Sequence, residues 1–334
     1  MFVENDTWDK LETYQPTIIK MLTNSILKDR VAHAYIFEGG RGTGKKHVSL
    51  LLAKSMLCKH LNGSMPCQNC INCRRVDSKN HPDVHIIEPD GQSIKKSQIQ
   101  DLQSEFSKTG VESSKKLYII EHADRMTTNA ANSLLKFLEE PDSDTIAILL
   151  TENIQKMLNT IISRCQVLSF QPISSIVMKD FLLDKGAPNH LAAIVAQLTN
   201  NFEEATELCQ DDWFAQSRMI VIQLYEMLNM NYAKALLYIQ EKWLSHFNDK
   251  DKLDSSLDLL LLLLKDLLYI QLGENEYVVY TDQLEKLNQY ALHISQNHIA
   301  EQMSAVLEAK SRLHTNMNPH LLMEQLVLNL QEGF

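Results

Sequence analysis

Residues 35–46 have the sequence Tyr-Ile-Phe-Glu-Gly-Gly-Arg-Gly-Thr-Gly-Lys-Lys. The apolar run that ends at Phe37 predicts a buried strand, and the apolar pattern over residues 48–53 predicts a helix. A glycine-rich loop between a strand and a helix is typical of phosphate binding, because its backbone N–H groups and the helix N-terminus face one anionic group. The candidate phosphate-binding residues are Gly39, Gly42, Thr43, Gly44, Lys45 and Lys46.

The last of these positions departs from the pattern of an active loop. The spacing Gly39-x4-Gly44-Lys45 fits, but Lys46 follows where a Ser or Thr hydroxyl would hold Mg²⁺. An ammonium group cannot ligate a cation and repels one. The sequence therefore predicts a degenerate loop that is built to cradle phosphate and does not complete a magnesium site.

Length and charge limit the classes of protein to consider. The chain has 334 residues, which predicts two or three domains, and a formal net charge of −10. That charge disfavours a free-standing DNA-binding protein, which normally has a basic face. No secretory leader is recognisable in residues 1–16, and the leucine run 259–264 is too short to span a membrane. We expect a soluble, cytoplasmic protein.

Strand and helix patterns alternate through the first half of the chain. Alternation of this kind predicts an α/β fold with a parallel sheet covered by helices on both faces. Helical patterns cover residues 6–30, the segment from the glycine loop to about residue 61, and a segment that begins near Thr127 or Thr128 and ends at Pro141. The five predicted strands are residues 34–37, 84–87, 117–120, 146–150 and 166–170.

Pro172 marks a change in the pattern, and we expect three domains. Residues 1–171 form the α/β domain. Residues 172–210 contain only short helical patterns and predict a small helical lid. Residues 211–334 contain longer ones, with leucines at bundle-like spacing, and predict an all-α domain.

Four of the six cysteines lie within sixteen residues. Clustered thiols in a reducing compartment indicate a metal site, and four thiolates form the closed tetrahedral set that structural Zn²⁺ prefers. His60 or His81 could replace Cys58 as the fourth ligand, and a chance cluster of packed cysteines is the alternative to any metal. Cys165 and Cys209 lie outside the cluster. The candidate zinc ligands, in the segment 58–73, are Cys58, Cys67, Cys70 and Cys73.

The third predicted strand ends in Glu121 and His122, where an active ATPase of this type places Asp and Glu to hold Mg²⁺ and to orient water. Glu121 keeps a carboxylate, whereas His122 is a poorer partner for water and is interpreted as a structural histidine. Lys46 and His122 together predict that the chain does not hydrolyse ATP. Binding of ATP without turnover stays open, because the glycines and Lys45 are intact.

Several motifs occur in an order that resembles the bacterial clamp-loader subunits of the AAA+ class. The resemblance covers nearly the whole chain and implies an AAA+ phosphate-loop domain with a zinc module, a lid, and a C-terminal collar that holds a ring together. The motifs are the glycine loop, the four cysteines, His81-Pro82-Asp83, residues 132–141, Ser163-Arg164-Cys165, residues 265–268 and residues 316–322.

The family resemblance also implies partners and a role for one arginine. The partners are the delta and tau/gamma subunits in a hetero-pentameric ring, and through that ring the sliding clamp and primed DNA of replication. Arg164 would act as an arginine finger in a neighbour's ATP site. Glu203 stands where the family's motor subunits carry a nucleotide-sensing Arg, and this departure agrees with the loss of ATP turnover.

Two other functions are compatible with parts of the sequence. One is an ATP-hydrolysing AAA+ motor, either a tau/gamma-type loader subunit or another remodeller. The other is a zinc-dependent nucleic-acid-binding module, which needs more basic residues beside the cysteines than the four present. On the preferred interpretation, the chain is a subunit of a DNA polymerase assembly. The assembly is a nucleotidyltransferase, whereas the chain alone has no catalytic turnover.

Overall fold

The computed structural model describes residues 7–106, 115–139, 145–230, 232–313, 315 and 317–331. These residues form two compact units, Met1–Ser174 and Ser175–Phe334. The predicted end of a helix at Pro141 lies outside the described residues. Among those that are described, no helix combines the length and the apolar character that crossing a bilayer requires.

The first unit is built on a five-stranded parallel sheet, as the sequence predicted. Its strand order is β2-β3-β4-β1-β5, so β1 lies between β4 and β5. The strands are β1 (Ala34–Glu38), β2 (Val84–Ile87), β3 (Lys116–Ile120), β4 (Thr145–Thr151) and β5 (Gln166–Ser169). The helices of this unit are α1 (Trp8–Glu12), α2 (Pro16–Leu27), α3 (Lys45–Leu57), α4 (Ile71–Asp77), α5 (Lys96–Phe106), α6 (Thr128–Glu139) and α7 (Asn159–Ile162).

Alternation along the strands creates a core on each face of the sheet, because successive side chains of a strand point to opposite faces. Tyr35 and Phe37 of β1 pack with α1, α2 and α3, whereas Ala34 and Ile36 pack with α5, α6 and α7. All seven residues of β4 are buried, as expected of a central parallel strand.

Local signals explain where several helices begin. The pattern over residues 6–30 is divided into α1 and α2, and Pro16 occupies the first turn of α2, where its missing N–H costs nothing. Thr127 caps α6, since its hydroxyl accepts a hydrogen bond from the N–H of Ala130 at 3.3 Å. Helix α4 begins after Cys70, whose sulfur accepts from the N–H of Cys73.

The described residues of the second unit form helices and the loops that connect them, with no strand among them. It contains α8 (Ser175–Asp184), α9 (Asn189–Leu198), α10 (Phe202–Gln210), α11 (Asp212–Met230), α12 (Tyr232–Tyr238), α13 (Leu244–His246), α14 (Lys250–Leu272), α15 (Leu284–Ala291), α16 (Gln296–Leu313) and α17 (Pro319–Gln331). Three helices of nine or ten residues lie within residues 172–210, and the part after them combines the long helices α11, α14, α16 and α17 with the shorter helices α12, α13 and α15. A lid separate from the collar stays a prediction.

The longest helix, α14, organises this unit by packing against α11, α15 and α16. Asp266 of α14 is buried, and its carboxylate accepts hydrogen bonds from the N–H groups of Val279 and Tyr280 at 3.0 and 2.7 Å. Arg218 of α11 is also buried, pairs with Asp282 and lies over the ring of Tyr280. These contacts fix the segment that connects α14 to α15.

Candidate functional site: a phosphate loop and a cysteine cluster

The glycine loop lies between the carboxyl end of β1 and the start of α3, as predicted. A side chain at Gly39 (φ 151°) would place its Cβ 2.6 Å from the carbonyl oxygen of Phe170, so β1 and the end of β5 can approach only because this residue is glycine. Gly44 (φ 88°) is the residue that precedes α3 and adopts the left-handed conformation. The sequence-predicted loop residues are thus brought together at the N-terminus of one helix.

Lys45 turns back onto the loop. Its Nζ donates to the carbonyl oxygens of Gly39 and Gly40 at 2.5 and 2.6 Å. Burial lowers the pKa of Lys45, an effect that the charges of Glu152 and Asp124 oppose. The hydroxyl of Thr43, which is buried, donates to the carbonyl oxygen of Gly40 at 2.9 Å. The ammonium group of Lys45 is therefore bound by carbonyl oxygens of the loop itself.

Lys46 joins the loop to the ends of two other strands. Its Nζ lies 2.5 Å from Oε1 of Glu121, which follows β3, and 3.4 Å from Oε1 of Glu88, which follows β2. Although burial alone would lower it, the pKa of Lys46 is raised by the hydrogen bond and the charge of Glu121. The carboxylate at the end of β3 is thereby bound to an ammonium group of the protein.

His122 is partly exposed and has a left-handed backbone (φ 52°). Its Nδ1 lies 3.8 Å from Oε1 of Glu152. Two residues further on, Asp124 accepts a hydrogen bond from the hydroxyl of Thr151 at 3.1 Å, which links the turn after β3 to the end of β4. These contacts are the ones expected of a structural turn at the carboxyl ends of the strands.

The structure brings the four predicted metal ligands together. The sulfur atoms of Cys58, Cys67, Cys70 and Cys73 all lie within 4.8 Å of one another. A zinc ion with four Zn–S bonds of about 2.3 Å separates its sulfurs by about 3.8 Å, so this arrangement fits a tetrahedral ion. Neither His60 nor His81 belongs to this group of ligand atoms.

The chemistry of the four thiols also fits a cation. Burial opposes it, but the N–H of Cys73 and neighbouring donors lower the pKa of Cys70 to about 6. Burial and the neighbouring thiols raise the pKa of Cys73. Because one thiol ionises easily and another resists, the set holds its full negative charge only when a bound cation offsets the repulsion.

Helix α3 connects the cysteine cluster to the glycine loop, because Cys58 follows its last residue directly. Lys54 of α3 has only 6% of its side chain exposed and lies 2.5 Å from Asp77 of α4. It also donates to Gln68 at 2.8 Å, and Asn72 donates to the carbonyl oxygen of Leu57 at 2.7 Å. The segment 58–77 is thus attached to the helix at several points.

Arg164 precedes the amino end of β5, whereas the glycine loop follows the carboxyl end of β1, so the two lie at opposite ends of the parallel strands. It stands two residues before β5, and the first residue of β5, Gln166, is in register with Tyr35 of β1. From Tyr35 to Gly39 the strand rises about 13 Å, at about 3.3 Å per residue. Cys165, next to Arg164, packs against the core, and its burial raises the pKa of its thiol to about 12. The arginine therefore does not face its own chain's loop.

Glu203 lies in the first turn of α10. Asn201 caps this helix, since its Oδ1 accepts from the N–H of Glu203 at 2.9 Å. Acidic residues stabilise the positive end of a helix, which explains the acid here in structural terms.

Sequence reasoning missed four contacts of the site. They are the pairings of Lys46 with Glu121 and with Glu88, the anchoring of α4 by Lys54, and the ion pair of Arg164 with Glu139. Each joins residues that are far apart in sequence, and nothing in their local sequence marks one as the partner of the other.

Comparisons with known proteins agree over the length of the chain. The family model described as DNA polymerase III, delta subunit, matches residues 14–174, and the model described as the C-terminal part of that delta protein matches residues 240–332. The DNA polymerase III subunit delta' of Bacillus subtilis is 52% identical over 327 residues, which are 98% of this chain and 99% of that protein.

Two partial matches cover smaller shares. The DNA polymerase III subunit tau of Bacillus subtilis is 37% identical over 162 residues, 48% of this chain and 28% of that protein. The DNA polymerase III subunit delta' of Pseudomonas aeruginosa is 35% identical over 136 residues, 40% of this chain and 42% of that protein.

Proposed function

Because the chain belongs to the family of DNA polymerase III delta-prime subunits, we propose that it acts in the clamp loader without hydrolysing ATP itself and assists a neighbouring subunit's ATP site through Arg164. In this role it helps to load the sliding clamp onto primed DNA during replication. Its partners are the delta and tau/gamma subunits of a five-membered ring, and its site of action is the cytoplasm.

The observation that carries this proposal is the ion pair between Lys46 and Glu121, at 2.5 Å. In an active phosphate loop these two positions supply a hydroxyl and a carboxylate to Mg²⁺. Here the first is an ammonium group that neutralises the second, so these residues do not fit a magnesium ion. ATP held by the glycines and Lys45 would lack the metal ion that stabilises charge during phosphoryl transfer.

Arg164 supplies the contribution in trans. It lies at the amino ends of the strands, away from the glycine loop of its own chain, where the nucleotide of another chain could reach it. A guanidinium group suits the charge spread over the γ-phosphate oxygens during transfer. Arginine fingers accelerate phosphoryl transfer by on the order of 10³–10⁵-fold in known systems.

The cysteine cluster holds a structural zinc ion. Four protein ligands close the coordination sphere, so the ion has no open position for catalysis. Bound zinc would supply the two positive charges that let the thiols ionise together. The ligands would be Cys58, Cys67, Cys70 and Cys73.

The domain assignment is part of the same proposal. Residues 1–171 form the AAA+ domain, residues 172–210 the lid and residues 211–334 the collar that joins the ring. Tight packing of α14 against α11, α15 and α16 supports a rigid collar.

ATP turnover tests the proposal against the motor function. The purified chain with Mg²⁺ should show no turnover above background, and steady turnover that Lys45→Ala abolishes would establish the motor instead. In a loader reconstituted with delta and tau/gamma, Arg164→Ala should slow hydrolysis without preventing assembly. Hydrolysis at the wild-type rate would remove the role of Arg164.

A further inference from the structure

The guanidinium group of Arg164 is held by its own chain. Its Nη2 lies 2.7 Å from Oε1 of Glu139, and its Nη1 donates to the carbonyl oxygen of Thr160 at 2.8 Å. The exposed fractions of the two side chains are 35% for Arg164 and 48% for Glu139. The arginine is therefore accessible to solvent and at the same time engaged on two sides.

The position of Glu139 is unfavourable for an acid unless it has a cationic partner. Glu139 is the last residue of α6 that the structure describes and lies in the C-terminal part of this helix, towards the end that carries a partial negative charge. A carboxylate is repelled there, whereas a guanidinium group beside it offsets both charges. Among the residues that the structure describes, Arg164 places its guanidinium group within ion-pair distance of Glu139.

The pair has the properties of a contact that can be released. A carboxylate on the guanidinium group cancels most of the charge that an arginine finger offers to a phosphate. An ion pair between two partly exposed side chains contributes little to stability, because water screens it and replaces each partner when it opens. A neighbour's triphosphate, which carries more negative charge than one carboxylate, can therefore displace Glu139.

We propose that Glu139 is a positioning residue that retains Arg164 in the free subunit and must release it before Arg164 reaches the γ-phosphate of a neighbouring subunit. The proposal rests on the proposed function of Arg164 in trans. It adds that the chain itself regulates how often the finger is available. Glu139 would then restrain hydrolysis until the ring has closed around its nucleotide.

Chemical modification of the isolated full-length chain tests the contact alone. Phenylglyoxal reacts with accessible guanidinium groups, and mass spectrometry assigns the rate to each arginine. Glu139→Gln should raise the rate at Arg164 about two- to fivefold, the range expected when an exposed ion pair is lost. The matched control is Glu308→Gln, which removes a comparable exposed pair with Arg312 on α16. It should leave the rate at Arg164 unchanged, and an unchanged rate in Glu139→Gln itself would overturn the proposal.

ATP hydrolysis by the reconstituted loader tests the consequence. In the absence of DNA, Glu139→Gln should raise the rate by a similar factor, and the double variant with Arg164→Ala should match Arg164→Ala alone. A slower rate that depends on Arg164 would overturn retention, because it would mean that Glu139 aims the finger. If Arg164→Ala changes nothing, the proposed function fails, while the modification experiment still decides whether Glu139 retains Arg164.

Discussion

Nζ of Lys46 lies 2.5 Å from Oε1 of Glu121, so the residue after the phosphate-loop lysine is tied to the carboxyl end of β3. Parallel strands place their carboxyl ends at one edge of the sheet, which brings these two residues together although 75 positions separate them. An ammonium group thus lies between the glycine loop and the end of β3, and this contact is the basis of our proposal that the chain does not complete a magnesium site.

The ion pair between Lys46 and Glu121 should contribute to the stability of the folded chain. Lys46→Met keeps most of the apolar stem but leaves Glu121, which has 13% of its side chain exposed, without its cation. We expect a loss of about 1–3 kcal/mol in the free energy of unfolding, the usual cost of an unpaired and largely buried polar group. Urea denaturation measures it. Glu88→Gln, at a side chain that is 55% exposed, should change the free energy by no more than about 0.5 kcal/mol. Equal effects of the two variants would contradict the pairing described for Glu121.

Metal analysis should find one zinc ion per chain. Cys70→Ser should abolish stoichiometric zinc and lower the melting temperature, because the remaining thiols cannot complete a tetrahedral site. Cys209→Ser, outside the cluster, should retain the ion. His60→Ala should retain it as well, since this histidine is not grouped with the four sulfurs. Zinc-free wild-type protein of undiminished stability after treatment with a chelator would refute the site.

Lys54 should anchor the cysteine segment to α3. Lys54→Met removes the ion pair with Asp77 and the hydrogen bond to Gln68. We expect a loss of about 1–3 kcal/mol in stability, because both partners lose a buried donor. Zinc transfer to a chromogenic chelator should also be faster than in wild type. Lys59→Met, a change at an exposed neighbour, is the control, and equally fast transfer from both variants would rule out the anchoring.

Asp266 should make the stability of the helical unit depend on pH. Burial raises the pKa of this carboxyl to about 6, although the N–H groups of Tyr280 and Val279 act in the opposite direction. The folded state therefore binds the proton more tightly than the unfolded state, and stability falls as the pH rises from about 4 to about 6. In Asp266→Asn this component, about 3 kcal/mol, should be absent.

Urea unfolding of wild type and Asp266→Asn across that interval measures the difference, and the variant should gain relative to wild type with rising pH. Asp249→Asn provides a control of opposite sign. The N–H of Lys252 lowers the pKa of Asp249, so the stability it provides is lost as the pH falls. Parallel pH profiles for wild type and Asp266→Asn would disprove the effect.

The strands and the loop could be predicted because their signals are local. Each strand contains a short apolar segment, and the glycine loop is marked by the apolar strand before it, by its glycines and by the helical pattern after it. Helix α4 was missed, because its first turn is capped by the thiol of Cys70 within a segment that looks like a metal site only. The break between α1 and α2 was signalled by Pro16, but one continuous apolar stripe concealed it.

The ionic partners could not be predicted from the sequence. All five strands contain a similar short apolar segment, so no pattern of single residues specifies their order in the sheet. Without that order, Glu121 cannot be assigned to Lys46. The same holds for Glu139 and Arg164, which are 25 positions apart and meet only because the end of α6 lies beside the start of β5.

Helix α3 begins at the glycine loop and ends at Leu57, immediately before Cys58, so a single helix sets the spacing between the loop and the cysteine cluster. Inserting a single residue between Lys54 and the end of the helix would rotate the cysteine segment relative to Lys54 by about 100° and advance it by about 1.5 Å. Lys54 would then point away from Asp77. The thirteen residues of this helix therefore fix both the distance and the angle between the glycine loop and the four cysteines.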